Sequence, residues 1–308
     1  MKRILLLLII NVSLICSLQA QKISADKVVM YRDLDSLKLN LHIFQPSKKA
    51  SSNGAVVLIH GGGWNSGSPK ALFPQAKHLA DRGLIVFLPE YRVRKRNNTT
   101  IFEAVEDVQI AMAYVRNHAS EYDFDPNKIV VGGGSAGGHL SLSLAFIEPL
   151  TKGLKQADYK PNLLVLFNPV MDMSKEGYAH RLVDKEMKAL GRTWESFSPR
   201  QNINKDFPSM LAMLGDTDKV IPVKVAEDFQ AKCQAVGVEC QLKVYEGAEH
   251  SFFNAGYAKK KGFEKGTINR WHYETIEEMD RFLVSKKYLE GSYKAVIPEG
   301  AIYPIPQK

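Results

Sequence analysis

The sequence predicts an α/β fold, a mostly parallel central sheet covered by helices on both faces. Short continuous apolar runs of strand length recur along the chain, and helical patterns separate them. Strands that are apolar at every position must be buried on both faces, and the intervening helices supply the cover. With 45% hydrophobic and 24% charged residues among 308, the composition is that of a packed globular protein, which excludes a disordered or fibrous chain. No internal repeat or low-complexity linker divides the sequence, so residues 21–308 are expected to form one domain.

The elements follow in order. Leu37, Leu39, Leu41 and Ile43 alternate with polar residues and predict a half-buried strand. Ala55 to Ile59 and Leu84 to Leu88 are continuous apolar runs. The same pattern returns at Lys128 to Val131, Leu163 to Phe167, Met210 to Leu214 and Gln241 to Tyr245. Ile101 to Val115 places Ala104, Val105, Val108, Ala111, Met112 and Val115 at helical spacing. Leu140 to Phe146, Val223 to Val236 and Tyr273 to Leu283 read as further helices. The stretch 171–204 is too long for a plain connection and has helical character from Leu182 to Leu190, so it is expected to form a small cap over the sheet. Its apolar residues Leu182, Met187, Leu190 and Trp194 are expected to restrict the site beneath. After Leu289 only Ile297, Ile302 and Ile305 stand out.

The first twenty residues differ from the rest. Lys2 and Arg3 precede an apolar run from Ile4 to Ile10, and Ala20 stands just before polar sequence begins. A basic start, a short apolar core and a small residue at the end are the layout of a secretory signal peptide, and the remaining chain is then expected to be secreted or periplasmic. Cys16 offers a variant, a lipid-bearing cysteine, although Ser13-Leu14-Ile15 before it fits that poorly. No second stretch is long enough to span a bilayer, so no integral membrane contact is expected. In an exported chain, Cys233 and Cys240 are either a disulfide or two buried thiols. The net charge of +8 is spread, with the densest patches at Arg92 to Arg96 and Lys259 to Lys261. Neither patch is interleaved with aromatic residues, which argues against nucleic acid as a partner and leaves an acidic polymer open as substrate.

The chemistry begins at Gly133-Gly134-Ser135-Ala136-Gly137, which fits G-x-S-x-G between a predicted strand and a predicted helix. Small residues let the chain turn sharply and expose the Ser135 hydroxyl at the apex. The following helix directs its N-terminus at the site and favours developing negative charge. Gly132, Gly134 and Gly137 also fit the dinucleotide pattern G-x-G-x-x-G. That reading needs an acidic residue at the tip of the next strand, and Phe167-Asn168-Pro169 supplies none.

His60-Gly61-Gly62-Gly63-Trp64 follows an earlier strand. Acyl transfer passes through an oxyanion that backbone N–H groups must already face, and glycines let bare backbone approach it. Gly62, Gly63 and the N–H of Ala136 are expected to form that hole, with His60 structural and Trp64 walling the acyl pocket. After the Met210 to Leu214 strand come Asp216 and Asp218, either of which can orient a general base. After the last predicted strand comes His250, the only histidine in a loop directly following a late strand. Serine, acid and histidine thus fall in the order this type of sheet requires.

These motifs resemble the α/β-hydrolase superfamily, and within it the H-G-G-G serine esterases of the hormone-sensitive-lipase-like, acetyl-esterase and acetylxylan-esterase-like groups. The matching residues are His60 to Trp64, Glu90-Tyr91-Arg92, Gly133 to Gly138, Gly215 to Pro222 and Gly247 to Phe253, across about residues 35–285. The resemblance implies a catalytic triad of Ser135, Asp218 and His250, with Asp216 as second choice for the acid. It also implies hydrolysis of short-chain carboxylic esters, often deacetylation of xylan-type carbohydrate, with no metal or organic cofactor. The expected partner is a small-molecule, oligosaccharide or polysaccharide ester. Many such esterases carry Asp or Glu where this chain has Gly134. A serine peptidase, a feruloyl esterase and a non-catalytic binding protein on the same scaffold are the rival readings.

Overall fold

The computed structural model describes residues 23–305. The segment read as a signal peptide, and Cys16 within it, lie outside the described residues. Eight strands form one sheet: β1 (Lys27–Asp33), β2 (Lys38–Phe44), β3 (Ala55–Ile59), β4 (Ile85–Pro89), β5 (Ile129–Gly134), β6 (Leu163–Phe167), β7 (Met210–Gly215) and β8 (Cys240–Tyr245). Their spatial order is β1-β2-β4-β3-β5-β6-β7-β8. β2 pairs antiparallel with both β1 and β4, and every pairing from β4 to β8 is parallel. The helices are α1 (Phe73–Asp81), α2 (Arg94–Asn97), α3 (Ile101–Asn117), α4 (Ala119–Tyr122), α5 (Ala136–Ser143), α6 (Gln156–Tyr159), α7 (His180–Ala189), α8 (Val223–Ala235), α9 (Tyr257–Lys260) and α10 (Arg270–Ser285).

The predicted strands are β2 to β8; in β3 to β7 alternate residues divide between two cores, whereas β8 is an edge strand with Gln241, Lys243 and Val244 exposed. Val57, Ile59, Val131, Leu166 and Leu214 join α3, α5 and α8 on one face. Val56, Leu58, Val130, Phe167 and Met213 join α1 and α10 on the other. The two-residue period of a strand therefore builds both layers at once.

Two elements carry weak sequence signals. β1 is an edge strand with Val28 and Met30 exposed and Tyr31 turned inward, and its register slips between Met30 and Arg32. That bulge breaks the alternation by which a strand is read. In α1 the fully buried face includes Gln75, whose amide donates to the Phe253 carbonyl at 3.2 Å. A polar residue in the buried stripe hides the helical pattern.

The neighbours of β3 on its two sides are β4 and β5. The chain winds away from β3 in both directions, so a crevice opens beyond the carboxyl ends of β3 and β5. Residues 171–204 lie between β6 and β7 and contain α7 and two short 3-10 turns. α7 buries Val183 and Met187, while Glu186 pairs with Arg94. Leu190 is exposed. Cys233 and Cys240 are buried free thiols. Among the described residues, no helix is long and apolar enough to cross a membrane.

Candidate active site

Gly137, in the first turn of α5, packs so close to β3 that a β-carbon on it would lie 2.1 Å from the Ile59 carbonyl oxygen. Only glycine lets helix and strand meet there, and the turn from β5 into α5 is correspondingly sharp. Ser135 sits at its apex with φ 55 and ψ −119. That is an uncommon conformation for a residue with a side chain. Its N–H donates to the Phe167 carbonyl at 2.9 Å, and its carbonyl accepts from His139 N–H at 3.1 Å. The surrounding backbone thus holds the strained residue in place.

The Ser135 Oγ lies 2.8 Å from His250 Nε2, and His250 Nδ1 lies 2.8 Å from Asp218 Oδ2. With the imidazole neutral and its proton on Nδ1, Nδ1–H donates to the carboxylate and Nε2 accepts from the serine hydroxyl. The Asp218 side chain has no solvent exposure. Its other oxygen accepts the N–H groups of Val220 at 2.8 Å and Ile221 at 2.9 Å. These bonds fix its direction. Asp216 has another partner: its Oδ1 accepts the Gly247 N–H at 2.7 Å on the surface.

Gly62 and Gly63 follow β3 with φ of 127 and 61. Gly62 carbonyl accepts Asn65 and Ser66 N–H at 3.1 Å each, closing a tight turn. A β-carbon on Gly62 would lie 2.0 Å from the Ser66 carbonyl oxygen, so no side chain fits. Among the described residues, neither the Gly62 nor the Gly63 N–H donates to a backbone carbonyl outside regular elements. Ala136 opens α5, where an N–H has no helical partner. His60 stacks on Tyr91 at 4.3 Å, and its Nδ1–H donates to the Gly61 carbonyl at 2.8 Å. Burial lowers its pKa to about 4, so the ring is neutral.

A cleft of about 360 Å³ opens over Ser135, bordered by Gly61 to Gly63, Leu72, Tyr178, His250, Phe253 and Lys260. Trp64 does not border it. Its ring is buried, edge-on to His139 at 5.2 Å and 5.8 Å from Tyr178. The positive φ of 55 at Trp64 turns the side chain down into the core, and Tyr178 takes the wall position expected of it. Of residues 171–204, Tyr178 is the one bordering the cleft, in place of Leu182, Met187, Leu190 or Trp194.

Several supporting residues carry no motif. Buried Asn168 accepts the Ser251 N–H at 3.0 Å, next to His250. Gln75 and His272 both donate to the Phe253 carbonyl, at 3.2 and 2.9 Å. Asn269 donates to the Phe252 and Asn254 carbonyls at 2.5 and 2.9 Å. Four distant side chains thus pin the loop that presents His250. The only sequence signal is a polar residue within an otherwise buried stretch.

The arrangement places a hydroxyl beside an imidazole that can take its proton, and the known proteins this chain is similar to are ester hydrolases. The BD-FAE family model matches residues 41–233. A probable carboxylic ester hydrolase, LipM of Mycobacterium tuberculosis, is 34% identical over 186 residues, covering 56% of this chain and 42% of its own length. An acetylxylan esterase of Xylanibacter ruminicola is 26% identical over 267 residues, 82% of this chain and 49% of its own. The chain therefore spans about half the length of these curated relatives. Among solved structures, the thermophilic esterase Est2 of Thermogutta terrifontis with bound propionate superposes with a TM-score of 0.76. It is 33% identical, and the match covers 87% of this chain and 96% of that one.

Proposed function

The chain belongs to the BD-FAE family and has the α/β-hydrolase fold of its esterase neighbours, and from that premise we propose that it is a serine esterase of short-chain carboxylic esters. The observation that carries the reading is the continuous hydrogen-bonded line from Ser135 through His250 to Asp218, with 2.8 Å at each step. In the mechanism, Ser135 Oγ attacks the ester carbonyl while His250 Nε2 takes its proton. Asp218 holds the imidazole in the Nδ1–H tautomer and stabilises the imidazolium. The N–H groups of Gly62, Gly63 and Ala136 bind the oxyanion, each worth about 3 kcal/mol to the transition state. His250 then protonates the leaving alcohol, and water releases the acid by the reverse route.

The natural ester in this reading is an acetylated, xylan-type carbohydrate, supported by the 26% identity to an acetylxylan esterase. Residues 171–204 act as a small cap on a single domain, and residues 1–20 direct export. The test is hydrolysis of p-nitrophenyl acetate and release of acetate from acetylated xylan, each beside Ser135→Ala. The variant should lose at least about 10⁴-fold in kcat. Equal activity in Ser135→Ala would overturn the mechanism, and cleavage of the small ester alone would remove the xylan assignment.

A further inference from the structure

The cleft over Ser135 is bordered by one permanently charged side chain, Lys260, and by no Asp or Glu. Among the described residues no ion pair forms to Lys260, whereas its neighbour Lys261 is taken up by Glu249. Asp218, the carboxylate behind His250, is fully enclosed and bonded to the imidazole. Lys70 and Lys219 flank the bordering residues Ala71 and Val220, and both are exposed. The opening therefore carries positive charge with no internal counterion. Lys260 stands on α9, whose Tyr257 and Ala258 are buried, so its backbone is anchored rather than part of a free loop.

The position of that charge relative to the reaction follows from the chemistry. The leaving alcohol must take its proton from His250 Nε2. The segment after β8 brings both His250 and Lys260 to the border of the cleft, so the lysine shares a side of the cleft with the group that protonates the alcohol. We infer that the cleft selects esters whose alcohol carries a carboxylate, and that Lys260 is the side chain that reads it. This deepens the serine-esterase reading and rests on it. Because Lys260 is exposed, solvent screens the attraction, and its effect is roughly two- to fivefold in KM, declining with added salt.

The experiment follows acetate release from 4-acetoxybenzoate and from its neutral methyl ester, by the wild-type protein and by K260Q and K260E. Lys260→Gln should raise KM for the anionic ester roughly two- to fivefold, leave kcat unchanged and leave the methyl ester unaffected. Lys260→Glu should raise it further, and about 1 M salt should erase the wild-type preference. Equal changes for both esters, or none for either, would overturn the inference while serine-dependent cleavage of the methyl ester keeps the esterase reading. Absence of serine-dependent cleavage of the methyl ester would overturn both.

Discussion

Asp218 and Asp216 stand two residues apart in one loop and are equivalent by residue type. Their partners separate them: one carboxylate is enclosed against His250, the other caps Gly247 at the surface. Asp218→Asn should lower kcat by about 10³ or more because the amide favours the wrong imidazole tautomer. Asp216→Asn should stay within a few-fold, and a comparison of kcat for p-nitrophenyl acetate checks both. Gly134 replaces the acidic residue that the resemblance leads one to expect. A β-carbon there would lie 2.3 Å from Phe253 Cζ. Phe253 cannot move aside, since it stacks on Phe167 at 4.7 Å and its carbonyl is held twice. Gly134→Ala should therefore cost about 1–3 kcal/mol of stability and disturb the adjoining His250 loop, seen as a fall in both denaturation midpoint and kcat.

At the scale of elements, α7 is a polar helix held by few contacts. Val183 and Met187 are its only buried residues, and the Arg94–Glu186 pair adds a polar tie to α2. Tyr178, just before this helix, borders the cleft. Met187→Ala should cost about 2–5 kcal/mol by leaving a cavity, measured by chemical denaturation. Amide exchange should rise in residues 171–204 before it rises in β5 or β6.

The whole molecule has a pH limit built into its core. His60 and His139 are buried and their pKa values are lowered to about 4, chiefly by desolvation. Burial lowers His272 as well. In the unfolded chain these rings bind protons near pH 6.5, so between pH 6.5 and pH 4 the unfolded state holds more protons than the folded one. Stability is complete above that window and falls as pH drops through it, by up to about 3 kcal/mol for each of His60 and His139. The thermal midpoint should decline from pH 7 to pH 4, and a flat profile would contradict the burial. A second whole-chain device joins the antiparallel edge to the helical layer. Asp107 of α3 takes both Arg32 of β1 and Arg92, the latter at 2.9 Å, and Glu106 supports the pair. Asp107→Ala leaves two partly buried guanidinium groups short of an acceptor and should cost about 3–5 kcal/mol in unfolding free energy.

Periodicity and glycine placement determined much of this protein by themselves. A strand buried on both faces must be apolar at every residue, so β3 to β7 were legible. The sharp β5–α5 turn and the turn after β3 demand glycines at Gly137 and Gly62, so the loops around Ser135 were legible too. Edge strand β1 was not, because an edge buries one face and its bulge breaks the alternation. Tertiary structure alone decided the matters that depend on direction and distance. Trp64 points inward because its backbone has positive φ. Tyr178 reaches the cleft because α7 docks beside it. Asn168, Gln75, Asn269 and His272 hold the loop that presents His250. These are contacts between segments remote in sequence, whose formation is set by packing of the two cores, and no local pattern encodes them.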